Sequence, residues 1–266
     1  MMKKTSCGGG IFLHPILFKI GDFAIYAYGA ALFVAFTVGI LWSTKEADAE
    51  GIDQDYLYEV FLIGIVLALL GSRLTYVFLN WNFYRGGPWW KIFAFREGGL
   101  TFYGGLLAAL LGGYFYCAYR KISILKLLDF MAPFIALGYA ITRIGCFLNG
   151  CCYGQITTLP WGIVFPAVDS YPRHPTQLYA SASALLIFFL LRYLRKFKTS
   201  DGFIFAYFLI FYGIYRFIVE FFRVSLPTIW FLTPAQVAAL FFILAGAGML
   251  YGCGYMLRRS RDSGRL

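Results

Sequence analysis

Residues 203–223 read FIFAYFLIFYGIYRFIVEFFR. A run this long and this apolar has the length of a membrane-spanning helix, which needs about 20 mainly apolar residues. Yet it carries Arg216 and Glu220. At about 100° per residue, Tyr212, Arg216, Glu220 and Arg223 fall on one stripe of a single helix. The Arg216–Glu220 spacing of four permits an ion pair. An arginine at the centre of a spanning helix costs about 2.5–3.5 kcal/mol on insertion scales, so one that does no work is a liability. A self-neutralising structural pair would explain Arg216 and Glu220, but not Tyr212 and Arg223 beside them.

The rest of the chain has the same character. Of 266 residues, 60% are hydrophobic and 14% charged, and the mean hydropathy is +0.69. A soluble domain would hold about 45–50% apolar and about 25% charged residues. The surplus cannot be hidden in one core, so much of it faces lipid. Seven segments qualify as spans: 23–42, 57–79, 99–118, 127–148, 176–194, 203–222 and 234–257. The sequence therefore predicts an all-α integral membrane protein, residues 1–266 forming a single domain built as a seven-transmembrane-helix bundle. Two loops, 80–98 and 149–175, would form a small periplasmic cap. The four prolines of the second loop exclude a long helix there.

The net charge of +10 does not indicate a nucleic-acid partner, because the basic residues sit at the ends of apolar segments and form no patch. They act as topology determinants. With the N-terminus outside, twelve Lys and Arg lie inside and eight outside. That bias predicts a cytoplasmic C-terminus. The opening MMKKTSCGGG has no apolar run before Cys7, and neither a signal peptide nor a lipidation site is expected from it.

Two further arginines fall within spans. Arg143, near the end of ITRIGCFLNGCCYG, is followed by Gly145 and Gly150, which let another group approach the backbone. A guanidinium at such a helix end suits a phosphate head group, which it can grip with two hydrogen bonds. An arginine merely snorkelling outward is the competing explanation. Arg73, in GSRLTYVFLN, offers the same chemistry. In GGLTFYGGLLAALLGG, the row Gly105, Ala109 and Gly113 reads as close helix packing, and so do Gly248 and Gly252. Cys146, Cys151 and Cys152, with His174 later, lack the usual C-x₂-C spacing of a zinc site. A disulfide or small residues in a packed turn is the favoured reading, and no metal or cofactor is expected. No nucleotide loop or Ser-His-Asp pattern appears.

In order, HPILFKIGDFAIYAYGA, GSRLTYV, GGLTFYGGLL, TRIGCFLNGCCYG, RHPTQLY and Tyr212-x₃-Arg216-x₃-Glu220 resemble the prolipoprotein diacylglyceryl transferase family along nearly the whole chain. The resemblance implies transfer of the diacylglyceryl group of phosphatidylglycerol to the lipobox cysteine of a preprolipoprotein, at the outer face of the bacterial inner membrane. It makes Arg143 and Arg216 head-group contacts, with Glu220 orienting Arg216 and Tyr26, Tyr103 and Tyr212 as polar site residues. Arg73, Gly104, Gly105, Asn149, Gly154, His174 and Gln177 match substrate-binding positions. The chain also departs from the family. Tyr103 stands where a histidine usually precedes Gly-Gly, Cys146 replaces Asn and Cys151 replaces Glu. Thr142 replaces Gly, and Ala180 stands for a common Glu. The phosphate half of the site is kept and the thiol-activating half is altered. A relative with another acceptor, or a non-catalytic lipid-binding scaffold, are the alternative readings.

Overall fold

The computed structural model describes residues 13–21, 23–94, 98–224 and 231–263. The first surprise is at the N-terminal end. Where the sequence predicts helix from residue 23, the chain forms a β-hairpin of β1 (Ile16–Ile20) and β2 (Phe23–Tyr26). Gly21, at φ +58°, lies in its turn. Only after it does α1 (Ala27–Ala47) begin. The segment PILFKIGDFAIY alternates too weakly to betray strands among so many apolar neighbours.

The remaining elements follow the predicted order. They are α2 (Gln54–Leu79), a short α3 (Trp81–Tyr84), α4 (Phe102–Arg120), α5 (Ile124–Leu148), α6 (Thr176–Leu194), α7 (Phe203–Glu220) and α8 (Pro234–Ser263). Among the described residues, six helices are long and apolar enough to cross a membrane, and α4 is not one of them. Its glycines and tyrosines dilute its leucines. Large apolar side chains such as Leu62, Phe78, Leu186, Phe189, Phe241 and Leu244 are exposed, as lipid-facing residues would be. The loop after α5 carries a small hairpin, β3 (Ile163–Val164) with β4 (Pro172–Arg173). Its Arg173 binds Asp169 through two guanidinium nitrogens and holds that carboxyl below its ordinary range.

Residues 40–127 make one compact unit. Here α4 lies against α2 through glycines. A Cβ on Gly104 would meet Thr75 Oγ1 at 2.1 Å and the Gly71 carbonyl oxygen at 2.7 Å, and one on Gly105 would meet the Ala68 carbonyl at 2.7 Å. Gly112 is equally crowded by Leu67, whereas Gly113 meets nothing within 4 Å. The packing row is thus Gly104, Gly105, Ala108 and Gly112, not the predicted row through Ala109 and Gly113. The helix is rotated by one residue from the spacing read in sequence.

The other unit comprises residues 1–39 and 128–266. Its core joins α5, α6 and α7 through Ala132, Ala136, Leu137, Ile187, Phe188, Leu191 and Ile204. Asp129, buried on α5, accepts hydrogen bonds from the backbone N–H of Gly202 (2.9 Å) and Phe205 (2.8 Å) at the start of α7. Lys198 pairs with it at 3.2 Å. Burial lowers the Lys198 pKa, but Asp129 and Asp201 outweigh it and hold the ammonium above its ordinary value. A carboxylate is favourable there because the first turn of α7 has N–H groups without helical partners. Helix α8 packs on α7 at Gly213 and Gly246, whose added Cβ atoms would meet the Ala239 and Ala206 carbonyls at 2.8 and 2.6 Å. Gly248 and Gly252, the predicted packing glycines, have nothing within 4 Å.

Two stability measurements follow. Gly104→Ala should destabilise the protein in detergent by about 1–3 kcal/mol through overpacking, while Gly113→Ala leaves the thermal midpoint unchanged or slightly raised. Asp129→Ala strands two N–H groups and a partly buried ammonium, and should cost about 2 kcal/mol or more. An unshifted melting curve for Asp129→Ala would remove the carboxylate from its capping role.

Candidate active site

The second unit gathers the charged residues that the sequence singled out in α5 and α7. Arg143 stacks over the Tyr139 ring with its Cζ 4.6 Å from the centroid. Tyr139 and Tyr215 share a hydrogen bond at 3.2 Å. Tyr212 completes the cluster, its ring 5.7 Å from Tyr139 and 5.9 Å from Tyr215. The charges of both Arg143 and Arg216 act on the phenols of Tyr212 and Tyr215. Guanidinium groups from two helices therefore serve one tyrosine cluster.

Arg216 is held by Glu220, with Nη1 donating to Oε2 at 2.5 Å. Glu220 is only 5% exposed. Its other oxygen, Oε1, accepts from the Thr233 hydroxyl at 3.2 Å. Thr233 N–H donates to Gln236 Oε1 at 2.9 Å, and Gln236 N–H reaches back to the Thr233 hydroxyl. This is a capping box at the head of α8. The sequence reading missed Thr233 and Gln236, although Thr-Pro-Ala-Gln before an apolar run is the signal for one. Arg223 does not continue the predicted stripe. Helix α7 ends at Glu220, and Arg223 forms a β-bridge with Gly154 instead. Among the described residues, no carboxylate pairs with Arg143.

The start of α6 clamps the turn that follows α5. Thr176 Oγ1 donates to the Cys152 carbonyl at 2.7 Å, and Gln177 Nε2 to the Cys151 carbonyl at 2.6 Å. Gly154 is a packing position, since an added Cβ would meet the Phe222 carbonyl at 2.3 Å. Gly145 lets α1 approach, with Ala31 Cβ 2.4 Å from where its own would stand. Asn149 follows the end of α5, its N–H donating to the Gly145 carbonyl at 3.0 Å, and the Cys151 thiol reaches back to the Cys146 carbonyl at 3.6 Å. The Cys152 thiol, beyond the helix end, is pulled down to about 5. Its hydrogen bond with Cys146 is the main cause; burial opposes it, and the Arg143 charge assists.

His174 Nδ1 lies 3.1 Å from the Tyr179 hydroxyl, which accepts from Trp161 Nε1 at 2.8 Å. All three line an apolar cavity of 380 Å³ that also reaches Tyr215, Val219 and Phe222. The sequence named His174 but neither Tyr179 nor Trp161.

Other sequence candidates stand elsewhere. Tyr26 ends β2 and is 56% exposed. The tyrosine of that segment whose phenol interacts with Arg143 is Tyr28, on α1. Arg73, Tyr103, Gly104 and Gly105 belong to the other unit. Arg73 is 2% exposed and donates to the carbonyls of Ile92, Gly98, Gly99 and Lys91 at 2.6–3.2 Å. These bonds engage four of its five N–H donors. It ties Lys91 and Ile92 to Gly98 and Gly99 and has little left to offer a head group. Tyr103, at the start of α4, is 79% exposed.

Comparison with known proteins agrees with the motif order. The prolipoprotein diacylglyceryl transferase family matches residues 15–252. Phosphatidylglycerol–prolipoprotein diacylglyceryl transferases resemble the chain throughout. The one from Clostridium tetani is 34% identical over 240 residues, covering 88% of this chain and 95% of its own length. That from Geobacter sulfurreducens is 36% identical over 215 residues, covering 79% and 82%. The Finegoldia magna protein is 36% identical over 235 residues, covering 88% and 93%. With the family pattern running through both units and the arginine–tyrosine site at its core, the chain belongs to the prolipoprotein diacylglyceryl transferase family.

Proposed function

We propose that the protein transfers the diacylglyceryl group of phosphatidylglycerol to the thiol of a lipobox cysteine in a preprolipoprotein, at the outer face of a bacterial inner membrane. The N-terminus lies outside and the C-terminus in the cytoplasm. The chain crosses the bilayer seven times as one transmembrane domain, α4 included, and the loops 80–98 and 149–175 cap its outer side. One observation carries the reading: Arg143 of α5 stacks on Tyr139, which bonds Tyr215 and packs on Tyr212, both on the helix that carries Arg216.

The chemistry needs that arrangement. The acceptor sulfur attacks the glyceryl carbon bonded to a phosphate oxygen, the C–O bond breaks, and its electron pair leaves with glycerol phosphate. The thiol proton is released. A phosphodiester with one negative charge becomes a monoester with two, so charge grows on the leaving group. Preorganised donors in a dry site stabilise such growing charge far better than water-exposed ones. Arg143, with no carboxylate partner among the described residues, is the guanidinium for the phosphate. Arg216 is oriented by Glu220, which is itself fixed by Thr233. Tyr139, Tyr212 and Tyr215 supply hydroxyls to the head group, and the cavity beside His174 takes part of an acyl chain. Tyr103 is the residue nearest in the family pattern to a thiol base. A neutral phenol cannot take a proton from a thiol, so the Tyr103 hydroxyl serves better as a hydrogen-bond relay.

A second reading, a different acceptor for the same lipid, is favoured by Tyr103, Cys146 and Cys151 at altered family positions. Purified protein in phosphatidylglycerol micelles with a lipobox peptide should release glycerol phosphate and raise the peptide mass by one diacylglyceryl unit. Glycerol phosphate without a mass shift selects the other acceptor, and no lipid turnover rejects both in favour of a scaffold. Arg143→Ala and Glu220→Ala should each reduce turnover by about 10²-fold or more. Tyr103→His should keep activity within about tenfold. Its loss would mean that the site has been rebuilt around the phenol.

A further inference from the structure

The last turn of α5 and the turn after it hold three thiols that the transfer reaction, as described, does not use. Cys146 lies in the last turn of the helix and is buried, Cys151 is half-buried, and Cys152 is exposed. Their Sγ atoms all lie within 4.8 Å of one another. The backbone is bent to achieve this. Gly150 takes φ +69° and Cys152, without a glycine's freedom, takes φ +63°. A non-glycine residue in that region costs on the order of 1–3 kcal/mol and persists only where its surroundings enforce it. Here they do: Cys151 N–H binds the Cys146 carbonyl at 3.1 Å, and α6 grips the carbonyls of Cys151 and Cys152. A second observation concerns Gln177, which is bonded to the same turn. Gln177, only 1% exposed, donates to the Cys151 carbonyl, but its Oε1 is buried with no hydrogen-bond partner among the described residues. A buried acceptor left unmet costs about 1–3 kcal/mol, so it marks a place for a donor from a bound group.

We propose that Cys146, Cys151 and Cys152 form a three-thiolate zinc site whose open fourth position takes the acceptor thiol. The metal site stands on the geometry alone; the identity of the fourth ligand rests on the transferase reading. Tetrahedral zinc with Zn–S bonds of about 2.3 Å places its sulfurs about 3.8 Å apart, so the observed cluster needs to close by about an ångström at most. A disulfide would join two of the sulfurs and leave the third unexplained. Three thiolates and Zn²⁺ carry a net single negative charge, and the charges of Arg143 and Arg223 already act on this cluster. Three protein ligands with one vacant position is the arrangement of a catalytic zinc, whereas structural sites are closed by four. A thiol that binds zinc is deprotonated by coordination, which removes the need for a strong base where Tyr103 stands. In the step, the acceptor thiol coordinates and gives its proton to solvent. Its sulfur lone pair then forms the C–S bond to the glyceryl carbon while the C–O electrons depart with glycerol phosphate. Zinc stays divalent, and the thioether product, a weaker ligand, is released. The unmet Gln177 Oε1 would accept from a zinc-bound water in the resting site.

The test uses the full-length protein in detergent. Elemental analysis should find about one zinc per chain after purification or after incubation with zinc chloride and desalting. Cys146→Ser, Cys151→Ser and Cys152→Ser should each lower that occupancy at least tenfold, and Cys117→Ser should not. Because a serine variant could misfold, the decisive measurement is made on the unaltered protein. Cobalt loading should give a thiolate-to-metal charge-transfer band that grows when a lipobox cysteine peptide is added and does not change with its serine counterpart. No metal uptake, or a disulfide among the three residues in the non-reduced protein, overturns the site. A cobalt band indifferent to the cysteine peptide overturns the open position. Metal binding with a peptide response but no diacylglyceryl transfer would leave the site standing and reject the transferase reading instead.

Discussion

A carboxylate buried in a membrane helix cannot stand alone, and the fate of Glu220 governs much of the site around it. Removing an ionised group from water costs several kcal/mol even after relaxation, and only close partners offset it. Glu220 has two, one to each oxygen: Arg216 on its own helix and Thr233 at the start of the next. The first fixes a guanidinium in a particular direction. The second ties that direction to the entry of α8, because the same hydroxyl completes the capping of that helix. The orientation of Arg216 is therefore built into the junction of two helices rather than left to a flexible side chain, which is the condition for electrostatic preorganisation.

Arg143 is held by other means. It has aromatic faces and phenols about it, and no carboxylate among the described residues. The difference between the two arginines is the useful asymmetry. One is paired with a carboxylate on its own helix, and the other is not. Small residues make the arrangement sterically possible. Gly145 admits α1 to the flank of α5, and Gly213 and Gly246 bring α7 and α8 to backbone contact. In lipid, where apolar burial between helices gains little, such close approach is the main source of packing attraction.

The buried charges of the chain also differ in how far their partners use them up. Asp129 resembles Glu220 in burial, yet its oxygens are consumed by the N–H groups of α7 and by Lys198. Arg73 resembles Arg143 in its position within an apolar run, yet it is filled by backbone carbonyls. A buried charge in a membrane protein points to function by default, but that default cannot separate a residue whose hydrogen-bonding capacity is filled from one whose capacity is not.

How much could be read without coordinates follows from the range of the forces. Hydropathy over some twenty residues and a four-residue helical stripe are local properties, so the membrane class, the order of the long helices and the Arg216–Glu220 pair were legible in the chain. The hairpin at Ile16–Tyr26 was not, because strand alternation disappears among uniformly apolar residues. The stripe could not be followed to Arg223 either, since the end of α7 depends on what α8 brings to Glu220. Which glycine packs turned on a rotation of one residue, the choice between Tyr26 and Tyr28 on where α1 starts, and the sharing of one tyrosine cluster by Arg143 and Arg216 on how α5 meets α7. Three cysteines spaced unlike any familiar metal motif could come together only through a left-handed turn clamped by a helix 25 residues further on. The sequence by itself determined where charge enters the membrane, because that is set by neighbours along the chain. Only the tertiary structure decided which charges keep a free face, because that is set by partners the chain reaches after folding.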